Sequence, residues 1–484
     1  MDAKQISRMG RRLKKFLSEF DDCFVRSEPR EHLVVYVRGQ LSNLPRKSIE
    51  PMALAAGVPP RTLQCFLDLV QWNEGRMRDR VEWIVARDHS HPSAIGMIDD
   101  SGNPKKGRYT AGVQRQWCGN TGKKDNCVVG VHLGYVAGDF HCLLDSDLYL
   151  PEGWANDPVR RKAADIPEDV VYRKKTAIAL AQVRRALANG IRVWAWTFDE
   201  WYGRDGEFLD GLDALGQNYV GEVPATFTGW VHEPDVLLRP TPQDRHKSGR
   251  KRHFPRLSVQ ALPASEVRNL VRYSRVFHEQ SWQRFKIKDG EKGPVVWEVK
   301  YSCFYRKHPG GLPGRVHWLI VARNVLDLNE IKYFAANLPP DIPVEKLLHV
   351  AFGRWPIEQC FEQSKNELGM DHFEVRSWPA IHRHFYITHL SHLFCSRVHQ
   401  DLREKNDRDR LPDGGAGTDG RVYVCRGVGS LSLGTKKEIS QDRRAGGVLP
   451  TSQSAGENVP YENHITSFAE FRNQGQPTPV VCTG

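Results

Sequence analysis

Nowhere in the 484 residues does an uninterrupted apolar run approach the ~18 residues of a spanning helix, so a membrane-spanning helix is excluded. The basic segment Met1 to Lys15 lacks a continuous apolar stretch, which excludes a secretory signal there. Cysteine is sparse: ten residues, at 23, 65, 118, 127, 142, 303, 360, 395, 425 and 482. No two are spaced C-x-x-C, so neither a zinc knuckle nor a dithiol redox motif is present. So few cysteines make no disulfide scaffold; they fit small buried hydrophobes in a reducing cytosol. No internal repeat is visible. Acid is in deficit: 69 Lys and Arg against 58 Asp and Glu leave a formal charge of +11. That excess favours a polyanionic partner, most simply nucleic acid. A hydrophobic share of 40% with 13 Trp, 14 Tyr and 20 Phe excludes wholesale disorder and is enough for a substantial core.

At roughly 150 residues per domain the length predicts about three domains. Residues 1–88 read as helical. Leu13, Phe16, Leu17 and Phe20 share one helical face. Two further patterns, Ser48–Ala56 and Arg61–Trp72, flank Gly57-Val58-Pro59-Pro60, which is the outline of a helix-turn-helix and equally of any helical hairpin. From Ala94 the period changes to that of strands: 94–98, then Asn126–Val136 and Phe140–Leu150 around a Gly138-Asp139 hairpin signal. A helix is predicted over Val171–Ala188, burying Leu180, Val183 and Leu187, with Gly190 as its stop and Ile191–Phe198 as the next strand. A short helix at Asp205–Leu215 and a strand at Asn218–Val223 follow. This order predicts an α/β fold with a mixed sheet. Residues 224–335 read as a β-rich insertion, with strands at Val295–Tyr305 and Arg315–Ala322 and a basic run from Arg245 to His253. Helical pattern returns at Val344–Phe352, at about 355–368 and at Ala380–Val398. The predicted segments are thus 1–88, 89–223, 224–335, 336–405 and an irregular, Gly-rich tail over 406–484.

Three acidic positions stand out by location. Asp99, with Asp100 beside it, ends the first strand; Asp199 ends the strand after the crossover helix; Glu358 opens a late helix. An Asp at a strand end is usually a turn former or helix cap. Strand ends of one sheet also bring distant carboxylates together, where they hold Mg²⁺ against phosphate. Cations flank these acids: Lys105, Lys106 and Arg108 in NPKKGRY, Arg354 four residues before Glu358, and Lys365 seven after it. Close to two helical turns separate 358 from 365, so both share a face. Trp282 or Trp355 is a candidate for stacking on an unpaired base, core packing being the bland alternative.

These motifs resemble those of bacterial insertion-sequence transposases of the DDE class, the DDE superfamily endonucleases. The resemblance rests on IDDSGNPKKG (98–107), TFDEWYG (197–203) and RWPIEQCFEQSKNELGMDHFEVRSW (354–378), and spans about residues 10–405. Arg354, Glu358 and Lys365 match the Arg, Glu and Lys of the family's Tyr-Arg-Glu-Lys signature; Ala351 stands where the signature has Tyr. The resemblance implies a ribonuclease-H-like catalytic core interrupted by the β-rich insertion, preceded by a helical DNA-binding domain. It implies Asp99, Asp199 and Glu358 as catalytic metal ligands, Asp100 and Glu362 being the alternatives for the first and third positions. It implies Lys105, Lys106, Arg108, Arg354, Lys365 and Trp282 as DNA contacts. Mg²⁺, or Mn²⁺ in its place, is the implied cofactor; terminal inverted repeats and target DNA are the implied partners, with a homodimer as an option, in the bacterial cytoplasm at the nucleoid. The tail beyond Asn406 does not resemble the helical continuation of the family, and a shifted coding frame near 407 is one reading of it. Two competing functions are a DNA-binding relative without catalysis and a carboxylate hydrolase, such as a glycosidase, built on Asp199 and Glu358. The flanking cations speak against the last, since a neutral sugar needs none.

Overall fold

The computed structural model describes residues 3–238, 254–290 and 293–409, all within one compact unit, Met1–Leu431. The basic run 245–253 and the tail beyond 409 lie outside the described residues.

Five helices open the chain: Ala3–Leu17, Ser27–Gln40, Ile49–Ala55, Pro60–Asp68 and Glu74–Asp88. Pro60 occupies a first helical turn, where its missing N–H does no harm. Gly57, at φ +68°, makes the sharp turn between the third and fourth helices. Leu13, Phe16, Leu17 and Phe20 are all buried, although Phe20 sits in a short 3₁₀ turn, Ser18–Cys23, rather than in the helix.

The first sheet holds β1 (Ile95–Pro104), β2 (Gln114–Cys118), β3 (Lys123–Ala137), β4 (Phe140–Leu148) and β5 (Ala195–Phe198). β3 pairs antiparallel with β1, β2 and β4. β5 runs parallel to β1, Ile95 facing Ala195 and Ile98 facing Phe198, after a crossover helix, Lys175–Ala188. Gly96 allows that pairing: a Cβ there would lie 2.1 Å from the Trp196 ring. Both faces are covered. Ile98 and Leu133 join the apolar cluster that contains Ile178 and Val183 of the crossover helix. Met97 and Val128 join the one that contains Ile357, Cys360 and Phe385.

Trp196 and Tyr219 form a parallel bridge toward β6 (Val220–Val223), which belongs to a second, antiparallel sheet. Its other strands are β7 (Thr228–Trp230), β10 (Ser265–Glu266), β11 (Gln283–Gly290), β12 (Gly293–Lys307), β13 (Pro313–Asn324) and β14 (Ile331–Ala336), in the order β10-β7-β12-β13-β14-β6 with β11 on β12. A two-residue pair, β8 (Val236–Leu237) with β9 (Arg256–Leu257), stands apart. Three helices then follow: Val344–Ala351, Trp355–Glu362 and the 32-residue helix Trp378–Asp409. The last lies against the N-terminal helices. Tyr36 Oη and His384 Nδ1 are 2.8 Å apart, Gln40 Nε2 donates to Thr388 at 2.8 Å, and Phe16 packs on Phe394.

Four expectations need correction. β1 does not end at the aspartates: Gly102 and Asn103 continue it by pairing with Val129 and Val128, so Asp99 lies in mid-strand. The strand Ile191–Phe198 shrinks to its last four residues. The crossover helix starts at Lys175 and buries Ile178, Ala179, Gln182, Val183 and Ala186, with Leu180 and Leu187 only partly covered. The helix predicted over 355–368 becomes a π-turn at Gln363–Glu367.

Candidate active site

Side chains alternate across a strand, and this separates the two adjacent aspartates. Asp99 projects on the face of Met97, toward the helix Trp355–Glu362; its Oδ2 accepts a hydrogen bond from Arg354 Nη1. Asp100 projects on the opposite face, where Lys175 of the crossover helix donates to it at 2.8 Å. Arg354 also donates from Nη2 to Glu358 Oε1 at 3.0 Å. One guanidinium therefore bridges the acid of β1 and the acid of the late helix. Asp199 follows β5 and caps the helix Glu200–Gly203, its Oδ1 accepting from Trp201 N at 3.0 Å and Tyr202 N at 3.2 Å. The capping role and proximity to the other acids coexist in this residue.

These groups influence one another electrostatically. Burial pushes the Asp99 carboxyl up to about 7; Arg354 opposes this, and the charges of Asp199 and Asp100 add to it. Burial also raises Asp199, again against Arg354. On Arg354, burial works against the charge, but Asp99, Glu358 and Asp199 outweigh it. The Tyr202 hydroxyl is buried and has no hydrogen-bond partner, and its proton is held by burial and by the charges of Asp100, Asp99 and Asp199. Carboxylate and hydroxyl oxygens are the donors a hard divalent cation takes; among the described residues, however, Asp99, Asp199 and Glu358 do not bring one oxygen each within 4.8 Å of one another.

The predicted cations divide. Lys105 turns inward, donating to the carbonyls of Phe373 at 2.8 Å and Asp371 at 3.3 Å and lying over the Phe373 ring; burial lowers it to about 8. Lys106 and Arg108 are exposed on the turn beyond β1. Lys365 rises from the π-turn to within 3.5 Å of Gly102 O, and burial lowers its pKa against the pull of Asp371, Cys118 and Asp99. Glu362 is exposed. Trp282 is half-buried, with Arg323 4.2 Å and Lys300 5.0 Å from its ring centre. Trp355 is 42% exposed, with Lys288 over its ring.

Sequence reasoning missed Lys175 and Tyr202. Lys175 opens the crossover helix, where a cation carries no signal. Tyr202 stands in the quoted TFDEWYG segment, and only the turn at Asp199 brings its hydroxyl back to the acids. It also missed Asp145 and Asp147 of β4, both bound by Arg185 of the crossover helix, at 2.7 and 2.5 Å.

The model of the DDE superfamily endonuclease family matches residues 19–294, more than half of the chain and including Asp99 and Asp199, and the chain belongs to that family. It is similar to the probable transposase for insertion sequence element IS701 of Microchaete diplosiphon, with 27% identity over 353 residues, 71% of this chain and 76% of that protein. Among solved structures, the NurA nuclease from Sulfolobus solfataricus aligns over 67% of this chain and 87% of that one at 9% identity; its TM-score, 0.23, is too low to carry an argument. No helix among the described residues is long and apolar enough to cross a membrane.

Proposed function

We propose that this chain is a transposase that cuts and joins DNA at insertion-sequence ends, with Asp99, Asp199 and Glu358 holding two Mg²⁺ ions, or Mn²⁺ in their place. The observation that supports it best is the bridge made by Arg354 between Asp99 and Glu358, with the charge of Asp199 acting on both Asp99 and Arg354. The order of three antiparallel strands, crossover helix and parallel strand is read as a ribonuclease-H-like core, with the second sheet as its insertion and the N-terminal helices as a DNA-contacting part. Asp99, Asp199 and Glu358 would hold the divalent ions, whose chemistry would be to lower the pKa of a water and to polarise the scissile phosphodiester.

The protein's own groups do the rest. Lys175 neutralises Asp100, so the charge of that second aspartate is met from the far face of the sheet. Arg354 holds Asp99 and Glu358 together, and on this reading its remaining N–H hydrogens contact a phosphate oxygen. Lys106 and Arg108 position the strand through its backbone. Trp355 offers a face on which an unpaired base near the cut stacks. The substrate is terminal-repeat DNA, and the freed 3′-hydroxyl is the nucleophile toward target DNA at the same acids.

The test is cleavage of terminal-repeat DNA with Mg²⁺ or Mn²⁺ by full-length Asp99→Asn, Asp199→Asn and Glu358→Gln. Each is expected to fall to background while binding that DNA as the unsubstituted chain does. Full cleavage by any one of them removes that residue from the site, and binding without cleavage by the unsubstituted chain overturns the enzymatic reading.

A further inference from the structure

The helix that carries Glu358 has a second chemical face. Cys360 lies about 200° around the helix from Glu358 and is fully buried on the side away from the acids. His141 of β4 and His392 of the long C-terminal helix approach it there. One ligating atom from each of the three, a sulfur and two ring nitrogens, lie within 4.8 Å of one another. Gln363, one turn beyond Cys360, places its Oε1 3.2 Å from His141 Nε2 and 2.9 Å from His392 Nε2. His392 is 1% exposed, and its Nδ1 has no hydrogen-bond partner. These groups are held by three elements far apart in sequence: a hairpin strand, a late helix and the closing helix.

The donor set is selective. A thiol sulfur with two imidazoles suits a borderline or soft ion, whereas the acids on the opposite face suit a hard one. Zinc bonds to nitrogen and oxygen of about 2.0–2.1 Å give tetrahedral edges of about 3.3 Å. The two spacings from Gln363 Oε1 to the imidazole nitrogens are already close to such edges. Both rings are buried, which favours the neutral, ligating imidazole; the same burial pushes the Cys360 thiol up, so an ion must displace a tightly held proton there.

We infer that His141, Cys360 and His392, with Gln363 Oε1 as fourth ligand, form a binding site for one zinc-class ion that fastens the Glu358 helix to β4 and to the long helix. On binding, the Cys360 S–H bond breaks, its proton passes to solvent, and a metal–sulfur bond forms; no oxidation change is involved. The ion is structural: with three protein donors and the carboxamide around it, the site is closed to substrate. It is independent of the assignment of the acids.

The experiment uses the full-length chain. Protein equilibrated with zinc and desalted into buffer with excess Mg²⁺ is assayed for bound metal, and a second sample is loaded with Co²⁺ for absorption spectroscopy. One zinc per chain should be retained. The cobalt form should show a thiolate-to-metal charge-transfer band together with the intense visible bands of tetrahedral cobalt. The Asp99→Asn/Asp199→Asn double variant should keep both signals, because an all-carboxylate site gives no sulfur band. Cys360→Ser should lose the charge-transfer band, and His392→Gln should lose retained zinc. If the unsubstituted chain retains no zinc and shows no sulfur band, the site does not exist, whatever the variants do. A sulfur band that survives undiminished in Cys360→Ser equally overturns the assignment by placing the ion on another cysteine.

Discussion

Asp99 and Asp100 are neighbours in one strand and meet different partners, a guanidinium on one face and Lys175 on the other. Burial raises the Asp99 carboxyl to about 7, so between the ordinary carboxylate range and that pH the folded, metal-free chain binds a proton that the unfolded chain has released. The stability associated with this proton is therefore present at low pH and is lost as pH rises toward about 7. Chemical denaturation of the metal-free protein across that window should show the decline, and Mg²⁺ should abolish it. Arg354 holds Asp99 down, so Arg354→Gln should move the Asp99 titration above 7. Proton release on adding Mg²⁺, followed potentiometrically against pH, should then peak at higher pH than in the unsubstituted chain. A peak unchanged in position would show that the guanidinium does not govern this carboxyl.

Elements hold these residues in place through a few close approaches. Gly96→Ala should drive a methyl into Trp196 and open the parallel pair that places Asp99 beside Asp199; overpacking of this kind costs about 1–3 kcal/mol, and a lower Tm with reduced cleavage is expected. Arg185→Met should be more severe, because it strands the buried Asp145 and its neighbour Asp147 without this cation, a loss of about 3–5 kcal/mol measurable by denaturant titration. Much of this architecture was legible from period alone: the helical opening, the β3–β4 hairpin at Gly138, the crossover helix and the strand before Asp199. The length of β1 was not, because Gly102, Asn103 and Pro104 look like a turn until β3 offers them partners. The buried face of the crossover helix was misplaced for a related reason. Ala179 and Ala186 let it approach the sheet closely, and Gln182 donates to Val131 O at 2.8 Å, so small and polar residues take positions that apolar counting gives to Leu180 and Leu187. The positions of Asp199 after a strand and of Glu358 in the first turn of a helix were legible; Asp99, read as a strand end, lies in mid-strand. The Cys–His cluster had no local signal at all, since its members come from three distant segments.

At the scale of the whole molecule, the proposed DNA binding should weaken with salt in proportion to the phosphates the chain neutralises, and a charge of +11 supplies cations for that role. Replacing both Lys106 and Arg108 by Ala should reduce the slope of log affinity against log salt by about 0.9 for each phosphate that is no longer neutralised, with little change in cleavage once DNA is saturating. A slope equal to that of the unsubstituted chain would take this turn off the DNA path. Arg383 of the long helix donates to Leu67 O at 2.9 Å and Val70 O at 3.0 Å and lies over the Trp72 ring, so it fastens the end of the fourth helix. Arg383→Met should strand the buried Leu67 carbonyl, at about 1–3 kcal/mol, leave the partly buried Val70 carbonyl to solvent, and speed amide exchange in Pro60–Asp68 together with that in Trp378–Asp409.

The N-terminal helices find in the long C-terminal helix the partners that fill their apolar faces, Phe394 for Phe16 and His384 for Tyr36. During synthesis the fifth helix meets β4 and the crossover helix within about a hundred residues, but Phe16 and Tyr36 wait through more than three hundred further residues for theirs. A reading frame interrupted anywhere before Trp378 would release a chain whose Phe16 and Tyr36 lack these partners, with an open, adhesive core and a fate decided by chaperones and proteases.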